Sequence, residues 1–238
     1  MTQVILLAMI IGSISGNPHF PVDTFQTKDG KSLEITFIKH ASLILNYDGR
    51  IVYVDPVSEY ADYSSFPKAD LILITHEHAD HFDPDAIAAI KKPDTKIVSN
   101  LSVREKLGEG IGMKNGDRLQ PEPWVTLQAV PAYNNTPGRE AYHPKGRDNG
   151  YVVTLGEMRI YVAGDTEDIP EMQFLKNIDI AFLPVNQPYT MTVPQAVHAA
   201  GMVKPRILYP YHYGNTDMQK LSEALGNQPG IEVRIRPM

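Results

Sequence analysis

The sequence predicts an α/β protein in which two mostly antiparallel or mixed β-sheets carry helices on their outer faces. Three observations lead there. The first half opens on hairpins, its later strands are separated by helical stretches, and the same succession returns in the second half. With 238 residues the chain is long enough to bury a sizeable core as one domain. We therefore assign residues 31–238 to a single domain and treat residues 1–30 as an N-terminal segment.

Leu33–Ile38 and Ser42–Tyr47 alternate apolar and polar residues with period two, as half-buried strands do. Asp48-Gly49 is a tight-turn dipeptide, and Arg50–Asp55 is the returning strand of that hairpin. The apolar run Asp70–Ile74 is a further strand. Asp83-Pro84-Asp85 opens a helix running to Ile90, with acidic residues at its positive end. Lys96–Ser99 is a short strand and Val103–Leu107 a short helix, followed by a turn at Lys114-Asn115-Gly116-Asp117. Trp124–Val130 begins the second series of strands, and Gly150–Leu155 with Arg159–Ala163 form a hairpin about Gly156-Glu157. Ile178–Leu183 is a strand of the buried type, Val193–Gly201 a helix, Arg206–Tyr209 a strand and Met218–Leu225 a helix. Glu232–Ile235 closes the chain as a strand.

Composition narrows the function. A hydrophobic content of 42% with 21% charged residues is globular. A formal net charge of -6 argues against a dedicated nucleic-acid binder, although a local basic patch could serve one small phosphorylated substrate. With no cysteine, any metal must be held by nitrogen and oxygen. Val4–Ile14 is an apolar run of signal-peptide length without a basic flank, and too short to span a bilayer comfortably. It reads either as an export signal, cleaved or remnant, which is the preferred reading, or as an added strand or surface helix. The first reading makes the protein exported or periplasmic, the second cytoplasmic. No later segment has transmembrane character, and the oligomeric state is left open.

The richest segment is Thr75-His76-Glu77-His78-Ala79-Asp80-His81, which places three of the chain's eight histidines directly after the apolar run ending at Ile74. Imidazoles and carboxylates are the usual ligands of borderline metals such as zinc, and α/β folds place chemistry where strands end. Four further residues stand at or near strand ends or in loops that could converge there: Asp55 after Ile51–Val54, His143 in a loop, Asp165 after Ile160–Ala163, and His212 after Ile207–Tyr211. Singly, each has a plain alternative as a turn, loop or core residue.

The motif resembles the His-x-His-x-Asp-His signature of the metallo-β-lactamase fold hydrolases. Gly164-Asp165-Thr166 is similar to that family's bridging-aspartate motif, and Pro210-Tyr211-His212-Tyr213-Gly214 to its C-terminal histidine segment. Val54-Asp55-Pro56, the short chain and the ending look like the branch of small metal-dependent hydrolases related to L-ascorbate-6-phosphate lactonase. The resemblance implies a four-layer αβ/βα sandwich with two metal ions, zinc foremost and manganese or iron as alternatives. It implies that His76 and His78 hold the first ion and Asp80, His81 and His212 the second, with Asp165 bridging both. Asp55 would sit behind the ligands, accepting a hydrogen bond from one imidazole, and Glu77 would point away. The family's third histidine for the first ion is missing after Leu127–Ala132, where Tyr133 and Asn134 stand. His143 is the next histidine and is assigned that place, with Asn134 a poor substitute. His198 is assigned a structural role, while His19 and His40 are left unassigned, although His40, before the second strand, could border the cavity.

Such a site implies hydrolysis by a metal-bridging hydroxide, with one ion polarising the substrate, Asp165 positioning the nucleophile and His212 aiding the leaving group. Asp80, Asp165 and His212 are thus the candidate catalytic residues. A small anionic ester, lactone or phosphodiester is the expected substrate. A nuclease or RNA-processing phosphodiesterase and a non-catalytic metal-binding descendant are the alternatives, the former weakened by the lack of an appended basic domain. Arg139, Lys145 and Arg147 could pair with a substrate phosphate or carboxylate, and Asn134, Asn186 and Tyr189 could line the pocket.

Overall fold

The computed structural model describes residues 20–238 apart from Asn227 and Pro229. The apolar run Val4–Ile14 and His19 lie outside the described residues.

The first hairpin seeds one sheet. β2 (Ser32–Lys39) and β3 (Ser42–Tyr47) pair antiparallel, and β3 returns through Asp48-Gly49 into β4 (Arg50–Val54). β1 (Val22–Gln26), within the segment set apart as residues 1–30, adds to the edge of β2. Its exposed, polar outer positions carry little of the apolar alternation by which strands are read. From β4 onward the pairing becomes parallel, through β5 (Leu71–Ile74), β6 (Lys96–Ser99) and β7 (Ile111–Gly112). Parallel neighbours need crossovers; a loop with a short 3-10 helix (Tyr63–Ser65) supplies the first, and α1 (Pro84–Ile90) and α2 (Leu101–Leu107) the next two. Asp83 caps α1, its side chain accepting from the Asp85 and Ala86 amides, and Asn100 caps α2 through the Val103 amide.

The second half repeats this plan. β8 (Arg118–Glu122), β9 (Val125–Ala132), β10 (Asp148–Leu155) and β11 (Met158–Val162) run antiparallel. β12 (Ile180–Pro184), β13 (Ile207–Tyr211) and β14 (Glu232–Val233) then continue in parallel, with α3 (Val193–Val203) and α4 (Met218–Leu225) as crossovers. Among the described residues each sheet has seven strands, in the orders β1-β2-β3-β4-β5-β6-β7 and β14-β13-β12-β11-β10-β9-β8. Both sheets are mixed, as the alternation of hairpins and helices predicts.

The inner faces pack on each other. Phe37 of one sheet meets Phe182 and Tyr209 of the other, with ring centroids 6.2 and 4.9 Å apart, within a core that also holds Leu33, Leu45, Val54, Leu73 and Val162. Full burial of each such side chain contributes about 1.5–3 kcal/mol. A second cluster joins α3 and α4 to the outer face of β11–β13, and a third joins α1 to the outer face of β4–β6. The result is a four-layer αβ/βα sandwich. Among the described residues, no helix is long and apolar enough to cross a membrane.

Candidate metal centre

Strand ends from both sheets supply the site. β4 ends at Asp55, which is fully buried with φ 44°, and its carboxylate turns inward toward the end of β5. Asp55 Oδ1 accepts the Thr75 backbone N–H at 2.8 Å and Oδ2 accepts the Thr75 hydroxyl at 2.7 Å. His81 Nδ1 lies 2.8 Å from the same Oδ2. A carboxylate can only accept, so this contact keeps a proton on Nδ1 and turns Nε2 into the site. After Thr75 the chain curls tightly, the His81 and Phe82 amides both donating to the His78 carbonyl at 3.0 and 2.8 Å. That curl brings His76, His78, Asp80 and His81 around one point.

The ligand atoms fall into three interlocked groups: His76, His78 and His143; His40, Asp80, His81 and His212; and His76, His81 and Asp165. Within each group the ligand atoms lie within 4.8 Å of one another. His78 Nδ1 is 3.1 Å from His76 Nε2 and 3.3 Å from His143 Nε2. Asp165 connects the groups, with Oδ1 3.3 Å from His81 Nε2 and Oδ2 3.3 Å from the Nε2 atoms of both His143 and His212. Gly164 has φ 67°, and a Cβ there would come within 2.9 Å of the Asn149 carbonyl, so glycine is required to turn Asp165 inward.

Three atoms test whether this cage fits a metal. His81 Nε2, His212 Nε2 and Asp165 Oδ1 are buried without a hydrogen-bond partner. Their neighbours stand at 3.3 Å but out of hydrogen-bond alignment. Buried polar atoms left this way cost about 1–3 kcal/mol each, and all three are nitrogen or oxygen donors aimed at a common centre. The residues therefore fit one or two metal ions.

Electrostatics follow from burial among opposed charges. Burial holds His76 far below the usual imidazole range and pushes His143 down to about 4, so both are neutral, the form that ligates. For His81, burial opposes charge, but Asp165 and Asp55 outweigh it and raise the group well above that range. His212 rises to about 9 because Asp165 and Asp80 overcome its burial. Burial pushes the Asp165 and Asp80 carboxyls up, yet the surrounding histidines hold both well below the usual carboxylate range.

The other residues named from the sequence take varied places. Glu77 turns away from the histidines, accepting from the Ser102 hydroxyl and lying near Lys106 and Arg147. A cavity of about 230 Å³ opens onto the site, walled by Tyr142, Asn186 and Tyr189 besides the ligand side chains. Asn134 is buried behind that wall, its Nδ2 donating to the Tyr189 carbonyl at 2.8 Å. Arg139, Lys145 and Arg147 are not among the residues lining this cavity. Each faces a carboxylate instead: Arg139 with Glu167 at 3.4 Å, Lys145 with Glu171 at 3.0 Å, and Arg147 in a fork on Asp148 at 2.7 and 2.8 Å. His198 is exposed and lies 2.6 Å from Asp168.

His40, which sequence reasoning placed at most on the border of the cavity, stands among the candidate ligands. Its Nε2 lies 3.0 Å from Asp80 Oδ2, its ring centroid is 3.6 Å from that of His212, and its carbonyl accepts the His212 amide at 2.8 Å. The rule that picked Asp55 and His212, a ligand type just past a strand, would have found it beyond Leu33–Ile38.

Fold and site together define a metal-dependent hydrolase of metallo-β-lactamase architecture. The β-lactamase superfamily domain model matches residues 34–212. A UPF0173 metal-dependent hydrolase of Nanoarchaeum equitans is 33% identical over 191 residues, 76% of this chain and 84% of that one. The crystal structure of a Parabacteroides distasonis protein named as a metal-dependent hydrolase superposes with a TM-score of 0.91 at 61% identity, over 92% of this chain and 100% of that one. The metallo hydrolase Igni18 of Ignicoccus hospitalis shares the fold, with a TM-score of 0.72 at 24% identity over 86% of this chain and 95% of that one. The chain belongs to the β-lactamase superfamily, and within it to the UPF0173-like metal-dependent hydrolases.

Proposed function

We propose that the protein hydrolyses a small ester or lactone at a two-zinc centre. One observation carries this reading: a single carboxyl, Asp165, stands 3.3 Å from His81, His143 and His212, and so faces both histidine groups at once. In this reading His76, His78 and His143 hold one ion, Asp80, His81 and His212 the other, and Asp165 lies between. When bound, such ions supply a water acidic enough to react as hydroxide near neutral pH and polarise the bond under attack. Zinc suits the nitrogen and oxygen donors, while manganese and iron suit them chemically as well.

The chain's own residues do the positioning. Asp55 fixes the tautomer of His81, and Thr75 fixes Asp55 through its amide and hydroxyl. His40, beside Asp80 and His212, is placed to share a proton with the Asp80 carboxylate at 3.0 Å. The Asn186 amide, 3.5 Å from His212 Nδ1, forms the polar part of the wall that orients the substrate. The lactonase-like branch suggested by the sequence would require an anchor for a phosphate. The carboxylate partners of Arg139, Lys145 and Arg147 weigh against that anchor lying in their loop.

The test is a hydrolysis screen of the zinc-loaded chain across lactones, carboxylic esters, thioesters and phosphodiesters, with metal content measured alongside. Turnover of esters or lactones that falls at least a hundredfold in Asp80→Ala is expected, on the order seen when a charge-stabilising group is lost. A chain that takes up no transition metal after reconstitution, or whose turnover is unchanged in Asp80→Ala, would refute the proposal.

A further inference from the structure

Two tyrosines stand at the mouth of the metal centre with no structural task that accounts for their exposure. Tyr142 is 38% exposed and Tyr189 46% exposed, both line the cavity, and their rings meet edge to face with centroids 5.1 Å apart. They come from different loops, between β9 and β10 and between β12 and α3. Each loop is tied at the backbone rather than at the ring. The Tyr142 carbonyl accepts from Arg147 Nη2 at 3.1 Å and the Tyr142 amide donates to the Arg139 carbonyl at 3.1 Å. The Tyr189 carbonyl accepts from Asn134 at 2.8 Å, and the next residue closes a turn onto Asn186 at 2.7 Å. The two phenol rings thus meet each other from fixed backbones and stay partly exposed.

The charge pattern of the same wall points the same way. Lysine and arginine are absent from the residues lining the cavity, and the three basic side chains of the neighbouring loop are engaged by carboxylates, Arg147 also reaching to 3.4 Å from His78 Nε2 behind the wall. On the wall away from the metal-holding side chains a substrate arm meets two aromatic rings and one amide, so a phosphate there would find no lysine or arginine to pair with. In size, a cavity of about 150 Å³ accepts benzene, so the 230 Å³ found here admits one ring beside the reacting group.

Building on the hydrolase reading above, we infer that Tyr142 and Tyr189 form an aromatic subsite that selects an acyl group bearing a flat apolar ring. The acid released would carry that ring, as phenylacetate does. Ring stacking and edge contacts supply the selectivity, and such contacts are worth about a factor of two to twelve in affinity beyond simple burial.

Calorimetric titration of the zinc-loaded full chain with phenylacetate and with acetate tests this directly. Wild type is expected to bind phenylacetate about tenfold more tightly than acetate. In the Tyr142→Ala/Tyr189→Ala double variant that advantage should shrink to about twofold or less, with acetate affinity and metal content unchanged. Equal affinities in wild type, or an advantage that survives in the double variant, would overturn the subsite while the hydrolase reading stands on its ester turnover. If neither carboxylate binds and no ester or lactone is turned over, the hydrolase reading falls and the subsite with it.

Discussion

His40, Asp55 and His212 each carry left-handed backbone, with φ of 61°, 44° and 45°, and each stands just past a strand beside the metal centre. A side chain on a regular strand points straight up or down from its sheet, whereas a single left-handed residue swings it sideways. Such conformations cost about 1–3 kcal/mol for residues other than glycine, and three of them converge on one site. Asp55 shows what the arrangement gains, because its buried carboxylate collects the Thr75 amide, the Thr75 hydroxyl and His81 Nδ1. Asparagine tolerates left-handed backbone well, so Asp55→Asn isolates the hydrogen bonding from the conformation. The new amide would set a donor against one of those three donors. We expect metal affinity to fall about 10–100-fold, as with other residues that orient ligands, and stability to drop by about 1–3 kcal/mol. Chelator competition and urea unfolding measure the two, and an unchanged metal affinity would contradict the orienting role.

At the scale of elements, the loop from Asn134 to His143 decides whether the first histidine group is complete. A displaced histidine comes back over the site only if its loop is tied down, and the tie is Glu167. Its side chain is fully buried and accepts the Asn135 and Thr136 amides at 2.8 and 2.6 Å, with Arg139 at 3.4 Å. The strand end is closed as well, the Glu167 amide donating to the Tyr133 carbonyl at 3.0 Å and the Asn134 amide to the His143 carbonyl at 2.9 Å. Glu167→Ala leaves two amides without acceptors, at about 1–3 kcal/mol each. Hydrogen exchange at Asn135 and Thr136 should therefore speed up, and zinc content should fall while the sheets keep their protection. Exchange unchanged at those two amides would show that the loop is held by other means.

That loop also marks where reading the sequence stops. Strands with apolar alternation and helices with apolar periodicity were legible to within a few residues, as at β3, β6 and α4, because period and turn chemistry are local properties. β1, β7 and β8 were not, being short or polar edge strands whose only reason to exist is the neighbour they pair with. The same division runs through the site. The cluster from His76 to His81 is contiguous in the chain and stood out at once. The Tyr142–Tyr189 pair depends on loops from separate elements meeting, and no local pattern announces a meeting. The pairing of Arg139 and Lys145 with carboxylates was likewise invisible, since Glu167 and Glu171 lie in another segment.

For the whole molecule, the open question is what holds two sheets together along the edge formed by β1 and the C-terminal strands. Asp23 on β1 does much of this. It accepts Arg236 Nη2 at 2.7 Å, Arg234 Nη1 at 3.3 Å and the Tyr209 hydroxyl, joining the first strand of one sheet to β13 and to the chain end beyond β14. The guanidiniums of Arg234 and Arg236 also lie over Phe25 and Phe37, so the tie is packed as well as charged. Burial pushes the Asp23 carboxyl up, but Tyr209, Arg236 and Arg234 outweigh it and hold the group below the usual carboxylate range. A carboxyl whose folded value is depressed contributes stability that is complete above its unfolded value and is lost as pH falls toward the folded one. The contribution should therefore be full at neutral pH and fade below about pH 4. Asp23→Asn should cost about 1–3 kcal/mol at pH 7, which for a chain of this length lowers the melting temperature by roughly 3–8 °C. The gap between wild type and variant should narrow as unfolding is repeated from pH 5 down to about pH 3. A gap that stays constant across that range would mean that the tie rests on packing around the arginines and not on the charge of Asp23.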